Sequence, residues 1–159
     1  MTLDLIFWRH AEAHDAVEGG SDLLRALTPH GEQQAARMAV WLNRHLPADT
    51  RILASPARRT EQTVLALDRP FKLHAELAPT ASLAQLLTLT QGPNLPSTVL
   101  IVGHQPTLGQ AIGQLIGAKA GACCVKKGAV WWLRQRQRGG VPQTVLVSVQ
   151  SPGMLPEGF

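Results

Sequence analysis

Two runs of this chain share one design that restricts what it can fold into. Leu3-Asp4-Leu5-Ile6-Phe7-Trp8 is almost wholly apolar and passes straight into Arg9-His10, and Thr98-Val99-Leu100-Ile101-Val102 passes straight into Gly103-His104. An apolar run with almost no alternation predicts a strand covered on both faces, the pattern of an α/β sheet sandwiched between helices. Ligands of open α/β sheets bind beyond the carboxyl ends of the strands, where a stiff element can hold polar groups in place. From the first run alone, Arg9 and His10 read equally well as the start of a solvated loop or as part of a site. The second run repeats the device.

The 159 residues predict a single domain over 1–159, long enough to bury roughly two-thirds of the unfolded surface around one core. No stretch approaches the roughly 18 to 20 apolar residues of a membrane span, and no basic segment leads into an apolar one at the start. The expectation is a soluble, cytoplasmic protein. Fifteen Lys and Arg against eleven Asp and Glu give a net charge of +4. The basic residues are scattered, apart from Lys126-Lys127 and Arg134, Arg136 and Arg138, and no aromatic platform accompanies them. A solvated face therefore outranks a nucleic-acid footprint, while an anionic substrate suits the charge. Cys123 and Cys124 are neighbours in sequence and cannot form a structural disulfide framework, which fits reduced thiols.

Between the two runs, residues 11–22 are small, polar and acidic, and read as a surface loop. Thr28-Pro29 is a helix start, because threonine caps orphan amides and proline suits the first helical position. The apolar stripe Ala35, Met38, Leu42 and Leu46 carries this helix to Pro47, leaving His45 on its flank. Arg51 to Ala54 predicts a short strand, from which Ser55-Pro56-Ala57-Arg58-Arg59 turns into a second helix reaching about Leu67. Phe71 to His74 predicts a third strand, Ser82 to Gln91 a helix, and Pro106 to Ile116 a further helix. Val130 to Leu133 and Thr144 to Val149 predict a closing hairpin through Gly139-Gly140. The resulting fold class is α/β: a three-layer α/β/α sandwich whose central sheet is mostly parallel with one antiparallel strand.

Three strand ends then carry Arg9-His10, the Ser55 to Arg59 turn, and His104. If these strands are parallel neighbours, two imidazoles converge with two or more guanidiniums. Arginine clamps phosphoryl oxygens through its planar, permanently charged fork, and neutral histidine is a nitrogen nucleophile near pH 7. A clamped phosphoryl group could pass to the ring and then to water.

These motifs resemble those of the histidine phosphatase superfamily, the phosphoglycerate-mutase-like fold, and in particular its small phosphohistidine phosphatases of the SixA type. The family hallmark Arg-His-Gly is met by Arg9-His10-Ala11. Ser55, Pro56, Arg59, Glu61, Gln62 and Thr63 follow its second motif, and Gly103-His104 its late histidine. Thr28-Pro29-His30-Gly31 resembles its Leu-Thr-x-x-Gly stretch. The resemblance runs in order along nearly the whole chain. It implies that His10 is the phosphorylated nucleophile, that His104 donates to the phosphoryl group, and that Arg9 and Arg59 bind its oxygens, with Arg58 pointing to solvent. The residue after the hallmark histidine departs from the pattern. Ala11 is tolerable there if its φ is negative.

Relatives acting on alkyl phosphates protonate the leaving oxygen with a carboxylic acid after the third strand. Glu76 lies at the matching place, and reads equally as a solvated loop carboxylate. Glu12 and His14 are near enough in sequence to line the mouth, although a solvated loop suits both better. No metal or other cofactor is expected, since His10 must keep its nucleophilic nitrogen free. The expected activity is a metal-independent phosphatase acting on phosphohistidine of a signalling or phosphotransfer protein. The alternatives are a small-molecule phosphomonoesterase using the same site, and a phosphate-binding module without catalysis; the second histidine argues against the latter. The partner is thus a phosphorylated protein or a small phosphate ester, not a nucleic acid or a membrane.

Overall fold

The computed structural model describes residues 2–118 and 123–159. Its strands are β1 (Thr2–Arg9), β2 (Arg51–Ala54), β3 (Lys72–Leu73), β4 (Thr98–Gly103), β5 (Val130–Arg138) and β6 (Val141–Gln150), and its helices are α1 (Pro29–His45), α2 (Arg58–Leu65), α3 (Leu83–Thr88) and α4 (Thr107–Ile116). The strands form one sheet in the order β3-β2-β4-β1-β5-β6. β4 runs parallel to both β1 and β2, and β2 parallel to β3. β5 is the reversed strand, antiparallel to β1 on one side and to β6 on the other.

The unalternating apolar runs are explained by two cores. Ile6 and Trp8 of β1 and Leu100 and Val102 of β4 face a layer formed by Met38, Trp41 and Leu42 of α1 and Val64 of α2. Leu5 and Phe7, with Val99 and Ile101, face the opposite layer, where Leu86 of α3 and Leu108 and Ile112 of α4 cover them. Every residue of β1 from Leu5 to Trp8 is fully buried. Each of these large side chains contributes roughly 1.5–3 kcal/mol of transfer free energy, so a polar residue on either face would be expelled. The sheet is therefore the middle layer of an α/β/α sandwich.

Helix α1 starts where the capping chemistry requires. Thr28 Oγ1 accepts from the Gly31 amide at 3.0 Å and donates to Glu12 Oε2 at 2.6 Å. Gly31 is obligatory, because a Cβ there would lie 1.9 Å from the Glu12 carbonyl oxygen. This contact presses residues 10–28 against the helix, and a bridge between Ala13 and Leu27 closes the segment on itself. The segment read as a plain surface loop is thus a folded arch, with a 3-10 turn at Asp22–Leu24. The third strand is shorter than the sequence suggests: only Lys72 and Leu73 pair, at the sheet edge, and both are exposed. The helix expected up to Gln91 closes at Thr88, although its start is firmly set by a capping box between Ser82 and Gln85. The hairpin strands run longer than expected, meeting at the Gly139-Gly140 turn.

Arg134 makes a two-pronged hydrogen bond to Asp4, at 2.7 and 2.9 Å, with Trp132 Nε1 donating to the same carboxylate. One member of the basic trio is therefore bound within the fold. His45 is exposed and stacks on Trp41 at 4.5 Å between ring centroids, and Cys123 and Cys124 are free thiols. No helix among the described residues is long and apolar enough to cross a membrane.

Candidate active site

The parallel register sets the site. Arg9 pairs with Gly103 across β1 and β4, and Ala54 with Val102 across β4 and β2, so the three strands end side by side. The His10 amide donates to the Gly103 carbonyl and the Ser55 amide to the Val102 carbonyl, carrying the alignment one residue beyond the strands. His10 and His104 consequently stand next to each other, 5.1 Å between ring centroids, and are 7% and 4% exposed. With Arg9 and Arg59 they line a small pocket of about 180 Å³, together with Ala13, Asp15, Arg25, Pro79, Gln105 and Lys127.

The hydrogen bonds assign each ring its proton. His10 Nδ1 lies 2.7 Å from the Ala11 carbonyl, which can only accept, so Nδ1 carries the hydrogen and Nε2 keeps its lone pair. Ala11 is itself held: its amide donates to Thr63 Oγ1 at 3.1 Å, and that hydroxyl donates to the Arg59 carbonyl at 2.8 Å. Its φ is not in the positive region, and its methyl is buried against Leu27 and Ala35. The absence of the usual glycine thus leaves the turn unstrained. On the second ring, Ser55 Oγ accepts from the Ala57 amide and has its hydroxyl proton left for His104 Nε2, 2.7 Å away. Thr60 Oγ1 is 3.2 Å from the same nitrogen. Nδ1 of His104 is then the protonated nitrogen, buried and without an acceptor.

Burial, reinforced by the neighbouring guanidinium charges, drives both histidines towards the neutral form. Desolvation is the largest effect on His10, whose pKa falls to about 4 even though the Ala11 carbonyl opposes the change. Desolvation again dominates at His104, followed by the charge of its His10 neighbour, and its pKa falls to about 3. Both rings are uncharged at pH 7. Arg9 and Arg59 are also lowered from the ordinary guanidinium value, first by burial; Arg59 further lowers Arg9, while Asp22 partly restores Arg59.

Each arginine is tied by its far end. Arg9 Nη1 donates to the Val125 carbonyl at 2.9 Å, and Arg59 donates from Nη1 to the Asp22 carbonyl at 2.8 Å and from Nη2 to its carboxylate at 3.1 Å. The Nε atoms of both are buried and unpartnered. Arg9 Nε, Arg59 Nε and His104 Nδ1 are the buried side-chain polar atoms without partners among the described residues, and all three belong to this pocket. An orphaned buried donor costs about 1–3 kcal/mol, so three in one place mark a site built for an anion.

The family comparison agrees with this chemistry. A model of the histidine phosphatase superfamily, branch 1, matches residues 5–84. The chain belongs to that superfamily. This histidine phosphatase is 30% identical over 133 residues to the phosphohistidine phosphatase SixA homolog of Haemophilus influenzae, covering 74% of this chain and 79% of the relative. It is 28% identical over 121 residues to phosphohistidine phosphatase SixA of Escherichia coli, covering 71% and 74%. A solved structure of an Agrobacterium tumefaciens protein assigned as SixA superposes with a TM-score of 0.80 at 26% identity, over 94% of this chain and 98% of that one.

The remaining expected residues fall in different places. Glu76 is not among the residues lining the pocket. It sits in the 3-10 turn Ala75–Leu77, with its side chain partly exposed and its carboxylate 3.5 Å from His74 Nδ1. Pro79 reaches the pocket instead. Glu12 is engaged with Thr28, and Arg58 is exposed. Sequence reasoning missed Arg25, Gln105 and Lys127. Asp22-x-x-Arg25, an oppositely charged pair at helical spacing inside a loop, was the available signal for Arg25. Among the described residues, no group of three or more His, Cys, Asp or Glu is placed to hold a metal ion.

Proposed function

We propose that this phosphatase removes the phosphoryl group from phosphohistidine on a signalling or phosphotransfer protein, by way of a phosphohistidine on its own His10. The observation that carries the reading is the set of donors left without partners, Arg9 Nε, Arg59 Nε and His104 Nδ1, around a neutral His10 with Nε2 free. The SixA names of the relatives favour the phosphoramidate as donor.

In the first step His10 Nε2 supplies its lone pair to phosphorus, the bond from phosphorus to the donor nitrogen breaks, and the leaving imidazole takes a proton from solvent. The Nδ1 proton of His10 stays on the ring and is donated to the Ala11 carbonyl, which stabilises the positive charge that develops on the imidazole. The guanidiniums and His104 receive the charge on the equatorial oxygens. Water then attacks phosphorus, the His10 nitrogen leaves with its electron pair, and inorganic phosphate departs. Imidazole is a better leaving group than an alkoxide, so the displacement proceeds without a carboxylic acid at the position of Glu76.

The test ranks a phosphohistidine protein against sugar and nucleotide phosphates by kcat/KM, with His10→Ala alongside. The phosphohistidine protein should rank first and the variant should be inactive. A clear preference for a small ester overturns the substrate, and unchanged activity in the variant overturns the mechanism.

A further inference from the structure

Asp22 stands in an unusual position for a residue in an exposed turn. Its carboxylate spans two guanidiniums, accepting from Arg25 Nε at 2.9 Å through Oδ1 and from Arg59 Nη2 at 3.1 Å through Oδ2. Its backbone carbonyl takes Arg59 Nη1 at 2.8 Å. One residue thus satisfies both terminal nitrogens of Arg59. Arg25 is anchored in addition by Nη1, which donates to the His14 carbonyl at 2.7 Å.

We propose that Asp22 is a positioning residue for the phosphatase reaction, fixing which edge of Arg59 meets the phosphoryl group. A guanidinium can present either its two terminal nitrogens or the edge that includes Nε, and both edges match a phosphate. With the terminal nitrogens held by Asp22, Nε of Arg59 is left buried and unpartnered, the donor that remains for a phosphoryl oxygen. Arg9 is held at one terminal nitrogen, Nη1, by the Val125 carbonyl, and its own Nε is likewise buried and unpartnered. The carboxylate has a second effect: it lies between Arg25 and Arg59, whose like charges repel, and lets both stay beside the pocket before any anion arrives. A backbone carbonyl cannot leave with an incoming phosphate, so Asp22 holds Arg59 throughout turnover rather than acting as a plug that the substrate displaces.

This inference rests on the phosphatase reading of the pocket and not on the identity of the phosphoryl donor, so p-nitrophenyl phosphate serves as substrate. Asparagine keeps the shape of Asp22 but offers one acceptor where two arginines need two, and sets an NH2 donor against an N–H. Asp22→Asn should lower kcat about tenfold while leaving KM within about threefold, because a looser Arg59 impairs the transition state more than ground-state capture. In an Arg59→Ala background the same substitution should change kcat by less than about twofold, since its effect passes through Arg59. Asp22 is half exposed, and thermal melts of each variant verify that folding is intact.

A kcat within about twofold of the wild type in Asp22→Asn overturns the inference. So does a loss that recurs undiminished without Arg59, or a gain in kcat/KM, which would make Asp22 an inhibitory plug. If the wild type hydrolyses the ester and His10→Ala does not, the pocket reading stands and these variants judge Asp22 alone.

Discussion

Acid should destabilise this protein over a pH range set by its two buried histidines. In the unfolded chain each imidazole titrates near its ordinary pKa of 6.5, whereas in the folded state His10 titrates at about 4 and His104 at about 3. Between these values the unfolded state binds more protons, so stability rises with pH and falls as the solution is acidified from about pH 6.5 towards pH 4. Below the folded-state pKa both states are protonated and the effect levels off. One pKa unit corresponds to about 1.4 kcal/mol, so His10 alone stands to remove about 3 kcal/mol on acidification, a large share of the 5–15 kcal/mol of a typical domain. The two rings are in contact, so their contributions do not simply add.

The assay is urea unfolding from pH 7.5 to 4.5 in phosphate-free buffer, because a bound anion would stabilise the native state and mask the slope. Wild type is compared with His10→Gln, which removes one titrating ring. The carboxylates common to both proteins cancel in the difference, which should grow by about 2 kcal/mol or more between pH 6.5 and 4.5. Parallel stability curves for the two proteins would refute the reasoning, and with it the claim that His10 is held neutral by burial. The same depression should keep His10 competent as a nucleophile well below pH 6, where an exposed histidine would be charged.

Gly31→Ala should lower Tm sharply, since its methyl would fall 1.9 Å from the backbone oxygen of Glu12 and the arch over α1 would have to lift. A melt within a degree or two of the wild type would show that the arch is not held by that contact. Aryl phosphatase activity should survive dialysis against EDTA unchanged, because His10 Nε2 must be free to attack phosphorus; loss of activity restored by a divalent cation would contradict this mechanism.

The central sheet and its ends were legible because burial on both faces leaves a local mark. A strand such as β1 can hold no polar residue between Leu5 and Trp8, and the first polar side chains after it lie beyond the carboxyl ends of the central strands. The Thr28-Pro29 start, the Pro47 stop and the glycine turn at 139–140 are likewise local chemistry. The arch over residues 10–28 was not legible in this way. Its shape depends on the Ala13 to Leu27 bridge and on Gln62 Oε1 accepting from the Leu27 amide; Gln62 belongs to the second motif, but nothing in composition or spacing pairs it with Leu27 or Ala13 with Leu27. Arg25 and Lys127 join the pocket through such long-range folding, as does the Val125 carbonyl that holds Arg9. Glu76 illustrates the opposite limit. Its place in the chain matches a functional pattern, but its carboxylate lies beside His74 and outside the set of pocket-lining residues, a placement that a motif does not express.

The reversal of β5 has a consequence for how such a protein can change. A strand running against its neighbours begins where they end, so the segment leading into β5 arrives at the pocket, bringing Lys127 and the Val125 carbonyl. The connections at Leu46–Thr50 and Gly139-Gly140 lie at the opposite end of the sheet. Chain added before β5, or within the arch, would grow over the pocket and alter which phosphorylated molecules could enter. The same length added at the far connections would leave entry untouched. Descendants of this fold could therefore trade one clientele for another by lengthening two connections, with the arginines and histidines kept as they are.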